Sequence, residues 1–387
     1  VWFLPISNGR LILKKNNFSM TKVFLNFDFY GAGNIGDDLM LDGFVRGASG
    51  QHLELFCSIP RNSSHQEYRF PEIRFVSKLN REDVALQCPV WLGVGDTPVQ
   101  MRSGEWFLMK LEKDYLVARA NRKDCYMIGI GAETEAVSHS DRFRRVFEQV
   151  ELSWTRDEQS FLTLSNYFDI PKNNLRISSD LANISLKEIF SSQDSGSRRR
   201  YDLGICYYDE SVDKDNMSEL KLFINGLRKN GRNILMFAND ANADGMFEFG
   251  IYKKMIGPLD RKLSKGLKFL LPPYFEKRSL SSLLEHYRDC STLMTSRYHA
   301  LLSAAWAGCK VVALERSSKT SALARDLGIY EIRKPFSSEQ LMAAYENAQS
   351  VDIERLKELS RKASESILEF GERINKGIKY RVSKEIE

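Results

Sequence analysis

SRYHALLSAAWAGCKVVALERSSKT, residues 296–320, contains an apolar helical run, a glycine break and the β-branched strand pattern KVVAL. A second strand pattern, STLMT, precedes it. Strand, buried helix and strand in so short a span is the signature of a parallel crossover unit. Its ends are cationic. Arg297 and His299 fall where the first strand ends and the helix begins, and Arg316 and Lys319 follow the second strand. A cation at a helix N-terminus opposes the helix dipole unless an anion is shared between them. Neighbouring parallel strands bring their following loops together. The four residues are therefore candidates for one anion-binding, proton-transferring site, with local salt bridges and a hydrogen-bonded imidazole as the plain alternatives. Arg supplies a two-pronged fork for carboxylate or phosphate, and Lys a mobile point charge.

Outward from this stretch the same alternation recurs. Toward the N-terminus, strand patterns lie at 22–28, 53–58, 87–95, 125–132 and 151–156, with helical patterns between them. A second series runs through YDLGICYY, NILMFAN, LKFLLPP, STLMTS and KVVAL. Between the two series, NISLKEIFSSQDSGSRRR (183–200) is Ser-rich, charged and poor in aliphatics, as a domain boundary is. The expected fold class is α/β, two doubly wound Rossmann-like domains facing across a cleft. The expected organisation is an N-terminal extension or tag remnant at 1–20, a first domain at 21–184, a linker at 185–200, a second domain at 201–335 and helices at 336–387. In such sheets ligands bind beyond the carboxyl ends of the strands.

Composition narrows the class. The 387 residues are 43% hydrophobic, enough for two domains with real cores. A net charge of +5 from 56 basic and 51 acidic residues does not make a nucleic-acid binder. Six dispersed cysteines without a paired spacing read as reduced, buried thiols, so a cytoplasmic setting is expected and a metal site is not. No run reaches the roughly 18 apolar residues of a bilayer span, and residues 1–19 lack the pattern of a signal peptide.

The loop GAGNIGDD (31–38) joins the first strand to its helix. Its glycines permit close backbone approach, but neither dinucleotide nor P-loop spacing is present. Asp37 and Asp38 open the helix, where carboxylates cap and are stabilised. With Asn34 they also suit a sugar's hydroxyls better than a phosphate. His139, before SDRFRRVFEQV, is a second acid–base candidate from this domain, with a polar residue near a helix cap as the alternative. Arg156 either points into the cleft or pairs internally with Asp157.

Three blocks together resemble the polysaccharide pyruvyltransferases, which attach pyruvate as a ketal to sugars of surface polymers. They are FYGAGNIGDDLML, LSWTRDEQS (152–160) and SRYHALLSAAWAGCKVVALERSSKTSALARDLG. The chain differs from the family at GVGDTPV (93–99) and at Ser179–Asp180–Leu181, where an aspartate-proline segment is expected. The resemblance implies a glycosyltransferase-B-like pair of domains, phosphoenolpyruvate as donor substrate, a sugar diol as acceptor, and neither cofactor nor metal. It implies a donor site of Arg297, His299, Arg316, Lys319 and Arg156, and an acceptor side of Tyr30, Asn34, Asp37 and Asp38. His299 would be the acid or the stabiliser of leaving phosphate, and Asp37 or Asp38 would deprotonate or orient a hydroxyl. A lipid-linked acceptor would bring the enzyme transiently to the inner face of the membrane, and a homo-oligomer is left open. Two rivals remain: a nucleotide-sugar-dependent glycosyltransferase of the same shape, and a non-catalytic carbohydrate-binding protein on that scaffold.

Overall fold

The computed structural model describes residues 20–59, 64–101, 104–191, 199–208, 214–241, 243–256 and 266–386. Two parallel sheets form two lobes. The first holds β1 (Thr21–Leu25), β2 (Leu53–Ser58), β3 (Ile73–Val76), β4 (Val90–Val94), β5 (Asp124–Ile130), β6 (Leu152–Thr155) and β7 (Leu175–Ile177), in the order β3-β2-β1-β4-β5-β6-β7. The second holds β8 (Tyr201–Cys206), β9 (Ile234–Phe237), β10 (Leu267–Leu270), β11 (Cys290–Thr295), β12 (Lys310–Leu314) and β13 (Glu331–Ile332), in the order β10-β9-β8-β11-β12-β13. A two-residue strand, β14 (Gln349–Ser350), adds antiparallel to β12.

Both sheets reverse their winding once, between β1 and β4 and between β8 and β11. These switch points create crevices at the carboxyl ends of the strands. The loop after β1 meets the second lobe directly, Asn34 bridging Asp240. The inner strands are apolar along their whole length: Val90–Val94 is buried at every position. That is what a sheet covered on both faces requires.

Helix Ala182–Ser191 occupies the first half of the stretch expected to be a linker. Its Ala182, Ile184, Leu186 and Ile189 are buried, and it lies against helix Ile35–Gly47 and the long helix Ile353–Ile386. Trp306 of the second lobe donates from Nε1 to Asn183 Oδ1 at 2.9 Å. Low aliphatic content concealed a helix that meets other helices on several sides. Residues 192–198, the rest of that stretch, and residues 1–19 lie outside the described residues.

The C-terminal helix Ile353–Ile386 crosses back to brace the first lobe. Phe370 sits edge-on to Phe44, Tyr126 and Trp154, and Trp154 Nε1 donates to Glu369 at 2.9 Å. The six cysteines are buried and free of disulfides. Among the described residues no helix is long and apolar enough to cross a membrane.

Candidate active site

The glycine loop is stitched to the opposite lobe by main-chain bonds. Asn34 forms an isolated antiparallel bridge with Asp240. Ala241 N–H donates to Gly33 O at 2.8 Å and Ile35 N–H to Asn239 O at 3.4 Å. Asn34 caps the helix through Gly36 N–H (3.0 Å) and donates to Asp37 Oδ1 (3.1 Å). Gly33, at φ 119°, supplies a backbone conformation that L side chains resist.

The two aspartates of the loop part company. Asp38 is fully enclosed. It pairs with Arg69 at 2.9 Å and accepts from Gln66 Nε2 (2.9 Å) and from the Tyr274 hydroxyl of the second lobe (2.7 Å). Arg69 also donates to the Tyr274 carbonyl. Burial raises the pKa of Asp38 while Arg69, Tyr274 and Gln66 pull it back. With its oxygens so engaged, Asp38 fastens the lobes and has no free edge for an acceptor. Tyr30 is likewise withdrawn: its ring is enclosed and its hydroxyl donates to Val94 O at 2.6 Å. The expectation that Tyr30 and Asp38 touch acceptor is corrected on that ground.

Asp37 remains half-buried at the gap. Its pKa is pushed well above the usual range, first by burial, then by the charges of Asp96 and Asp240, with Lys319 opposing. Asp96 follows the switch-point strand β4 at a positive φ of 62°, and Asp240 follows β9. Neither drew attention in the sequence, because a single acid after a glycine-rich strand or within FANDANAD carries no pattern.

On the second lobe, Arg297 is the N-cap of helix Tyr298–Trp306 and makes no side-chain cap bond there. Its guanidinium turns to Glu248 Oε1 (3.1 Å) and Asp240 Oδ2 (3.6 Å) and lies 4.8 Å from the centre of the Tyr208 ring. Arg316 lies 4.3 Å from the same ring. Tyr208 thus gathers two cations from different loops. Glu248 is on helix Ala243–Ile256, which the hydropathy pattern did not disclose.

His299 faces the first lobe. Its Nε2 is 3.4 Å from Asp180 Oδ2, and Gly36 packs on its ring so tightly that a Cβ there would lie 2.1 Å from Nδ1. Burial disfavours charge on Asp180, yet His299 and Arg156 keep its pKa below the usual value. Arg156 donates to Thr97 Oγ1 (3.0 Å), lies 3.5 Å from Asp157 and 4.0 Å from Asp180, and sits under the Tyr298 ring at 4.5 Å. Arg156 is therefore buried and internally paired, the plainer of its two readings. Asp157 also accepts Ser160 N–H at 2.6 Å to cap its own helix.

Lys319 reaches across to Glu133 Oε1 at 3.5 Å. Burial lowers its pKa, Glu133 counteracts this, and Arg156 and Arg316 lower it further. His139 is elsewhere, beside Ser138 (2.9 Å) and Glu105 (3.5 Å) within the first lobe. The structure does not bring it to the cluster. A groove of about 900 Å³ is lined by Val45, Arg46, His52, Glu72, Glu188 and Leu368, among others, and by Arg69, which pairs with Asp38.

Three cations of the second lobe are thus held by carboxylates: Arg297 by Glu248 and Asp240, His299 by Asp180, and Lys319 by Glu133. Glu248 is the soft member. Its burial pushes the pKa up to about 7, with Arg297 opposing. The native state then binds a proton between pH 4.5 and about 7 that the unfolded chain has released. Stability from this group is present below pH 4.5 and is lost as pH rises through 7. Glu248→Gln removes that dependence. The variant should gain about 3 kcal/mol relative to wild type between pH 4.5 and 8, read by urea unfolding at each pH. A difference that is flat with pH refutes the assignment.

Residues 34–318 match the model of the family described as Polysaccharide pyruvyl transferase. The chain belongs to that family. All of the cleft residues from Asn34 to Arg316 lie within the matched span, and Lys319 follows it directly. The pyruvyltransferase family makes this a sugar-modifying transferase, and solved structures define its scaffold. Anabaena HepE in complex with UDP aligns with a TM-score of 0.52 at 11% identity, over 94% of this chain and 100% of that one. A putative UDP-N-acetylglucosamine 2-epimerase from Listeria monocytogenes gives 0.60 at 10%, over 90% and 95%. S. aureus MnaA with UDP gives 0.60 at 11%, over 94% and 97%. At such identities the likeness is one of fold, the glycosyltransferase-B-like pair of lobes. No curated protein matches the chain.

Proposed function

We propose that the enzyme transfers a pyruvyl group from phosphoenolpyruvate to two hydroxyls of a sugar, forming a cyclic ketal. The observation that carries the reading is the gathering of Arg297, Arg316, Lys319 and His299 at strand ends opposite Asp37. The donor has a carboxylate, a phosphate and an electron-rich methylene. Arg297 and Arg316 bind its anionic groups, and Lys319 leaves Glu133 for the donor. His299, oriented by Asp180, delivers the proton to the methylene carbon, which leaves C2 electrophilic. One sugar hydroxyl adds to C2 and gives its proton to Asp37. The C2–O bond to phosphate breaks, and the second hydroxyl closes the ring and releases its proton to the departing phosphate. Phosphoenolpyruvate and diol are consumed, ketal and phosphate are formed, and the proton taken by Asp37 returns through solvent to His299. Asp37, its pKa raised by burial and by the neighbouring charge of Asp96, suits hydrogen bonds to a diol.

A second reading has its own support. The solved structures of this shape named above are UDP-bound or are UDP-sugar epimerases by their titles. The cleft also carries enough carboxylates to offset its cations. Both favour a nucleotide-sugar donor. One experiment separates the two. Thermal unfolding is followed with phosphoenolpyruvate, UDP and a panel of UDP-sugars, and products from a glycan panel are weighed by mass spectrometry. Selective stabilisation by phosphoenolpyruvate, about 2.7 kcal/mol at a hundredfold excess over Kd, with added pyruvate and free phosphate, is the expected result. Stabilisation by UDP-sugars with glycosyl transfer, and none by phosphoenolpyruvate, overturns it.

A further inference from the structure

Helix Trp106–Ala120 follows the carboxyl end of β4, on the rim of the first lobe. Its inward face is conventional: Phe107, Leu108, Leu111, Tyr115 and Ala118 are buried on the sheet. Its outward face is not. Trp106, Met109 and Leu116 are 55%, 59% and 63% exposed. With Lys113 they fall at spacings of three, four and three, so they form one stripe along the helix. At the start of the neighbouring helix Arg81–Gln87, Leu79 is 94% exposed. Single exposed apolar residues need no explanation. An aligned set containing a tryptophan does.

The charges around the stripe are one-sided. The acids of this helix, and Glu105 just before it, are neutralised within the lobe: Glu105 and Glu112 by Arg142, at 2.6 and 2.7 Å, and Asp114 by Arg81 and Lys110, at 2.7 and 2.6 Å. Lys113, Arg119 and Arg122 have no carboxylate within salt-bridge reach among the described residues, and Lys78 stands beside Leu79. Exposed Glu82 and Asp83 mark where the basic region ends. We infer that this face, the Trp106–Met109–Leu116 stripe with Lys113, Arg119 and Arg122, docks on an anionic lipid surface. Indole and thioether enter the headgroup boundary while the lysine stem extends back to the phosphates. The inference holds for either donor, since none of these residues touches the cleft cluster.

The test uses the full chain and vesicles of phosphatidylcholine with and without phosphatidylglycerol. Wild type is expected to float with the mixed vesicles and not with phosphatidylcholine alone, and to be released by salt. Trp106→Ser/Met109→Ser/Leu116→Ser should lose at least tenfold in vesicle partitioning with an unchanged thermal midpoint. Lys113→Glu/Arg119→Glu/Arg122→Glu should abolish flotation. Failure of wild type to bind the mixed vesicles overturns the inference, as does binding that the serine variant leaves intact. A dimer in solution that the serine variant converts to monomer assigns the stripe to a second copy and also overturns it.

Discussion

Arg297→Ala should lower kcat/KM by about a thousandfold while leaving the thermal midpoint within a few degrees of wild type. The two effects separate because of what surrounds the guanidinium. In the proposed mechanism Arg297 forks onto the anionic donor, and removing such a fork costs roughly 3–4 kcal/mol of transition-state binding. The same deletion would ordinarily strand a buried carboxylate, an expensive defect. Here Glu248 already titrates near 7 with the arginine present, so without it the carboxyl simply keeps its proton at neutral pH. The residual structural costs are the lost contact with Tyr208, about 1 kcal/mol, and the loosened pairing of Asp240, whose oxygen lies 3.6 Å away. Arg297→Lys keeps charge without the planar fork and should recover only part of the rate. Steady-state kinetics beside thermal unfolding checks both halves. Wild-type turnover in Arg297→Ala would remove this residue from donor binding, and a collapse in stability would give it a structural role instead.

The legible part of this chain was whatever periodicity and element order encode. Strands β1, β2, β4, β5, β6, β8, β9, β10, β11 and β12 each contain or overlap an apolar run visible in the sequence. The strands that escaped, β3, β7, β13 and β14, are short or lie toward sheet edges, so a few residues suffice and no run develops. The basic half of the site was legible for a related reason. Arg297, His299, Arg316 and Lys319 immediately follow obvious strands, and position along a parallel strand implies position in space. The acidic half was not. Asp96, Glu133, Asp180, Asp240 and Glu248 come from four different connections, Asp240 and Glu248 sharing the one after β9, and only folding places them near one another. Glycine-loop residues looked alike in sequence and diverged in space. One helical step separates Asp37, at the gap, from Asp38, turned toward Gln66, Arg69 and Tyr274. Adjacent residues on a helix point about 100° apart, so two consecutive acids cannot share one task.

Gly36→Ala should reduce kcat by about a hundredfold although it improves the local helix. Alanine is the better helix former by about 1 kcal/mol, and the backbone at Gly36 is not in the left-handed region. Intrinsic preference therefore favours the substitution. The contact opposes it: the new Cβ would lie 2.1 Å from Nδ1 and 2.6 Å from Cγ of His299. An imidazole ring cannot yield as the end of a lysine does. Either the ring swings away from Asp180 or the glycine loop separates from the second lobe, and a displacement near 1 Å at a proton-transferring group costs about this much rate. Gly250→Ala adds the same methyl within helix Ala243–Ile256, where nothing lies within 4 Å, and should raise stability slightly with no change in turnover. Hydrogen exchange distinguishes the two routes in Gly36→Ala. If the ring moves, the amides of Ile35 and Ala241, bonded between the lobes, stay protected; if the lobes part, they exchange faster. Unchanged kinetics with unchanged protection would mean that the packing of His299 on Gly36 is absent from the working enzyme, and with it the placement of the proton donor on which the mechanism depends.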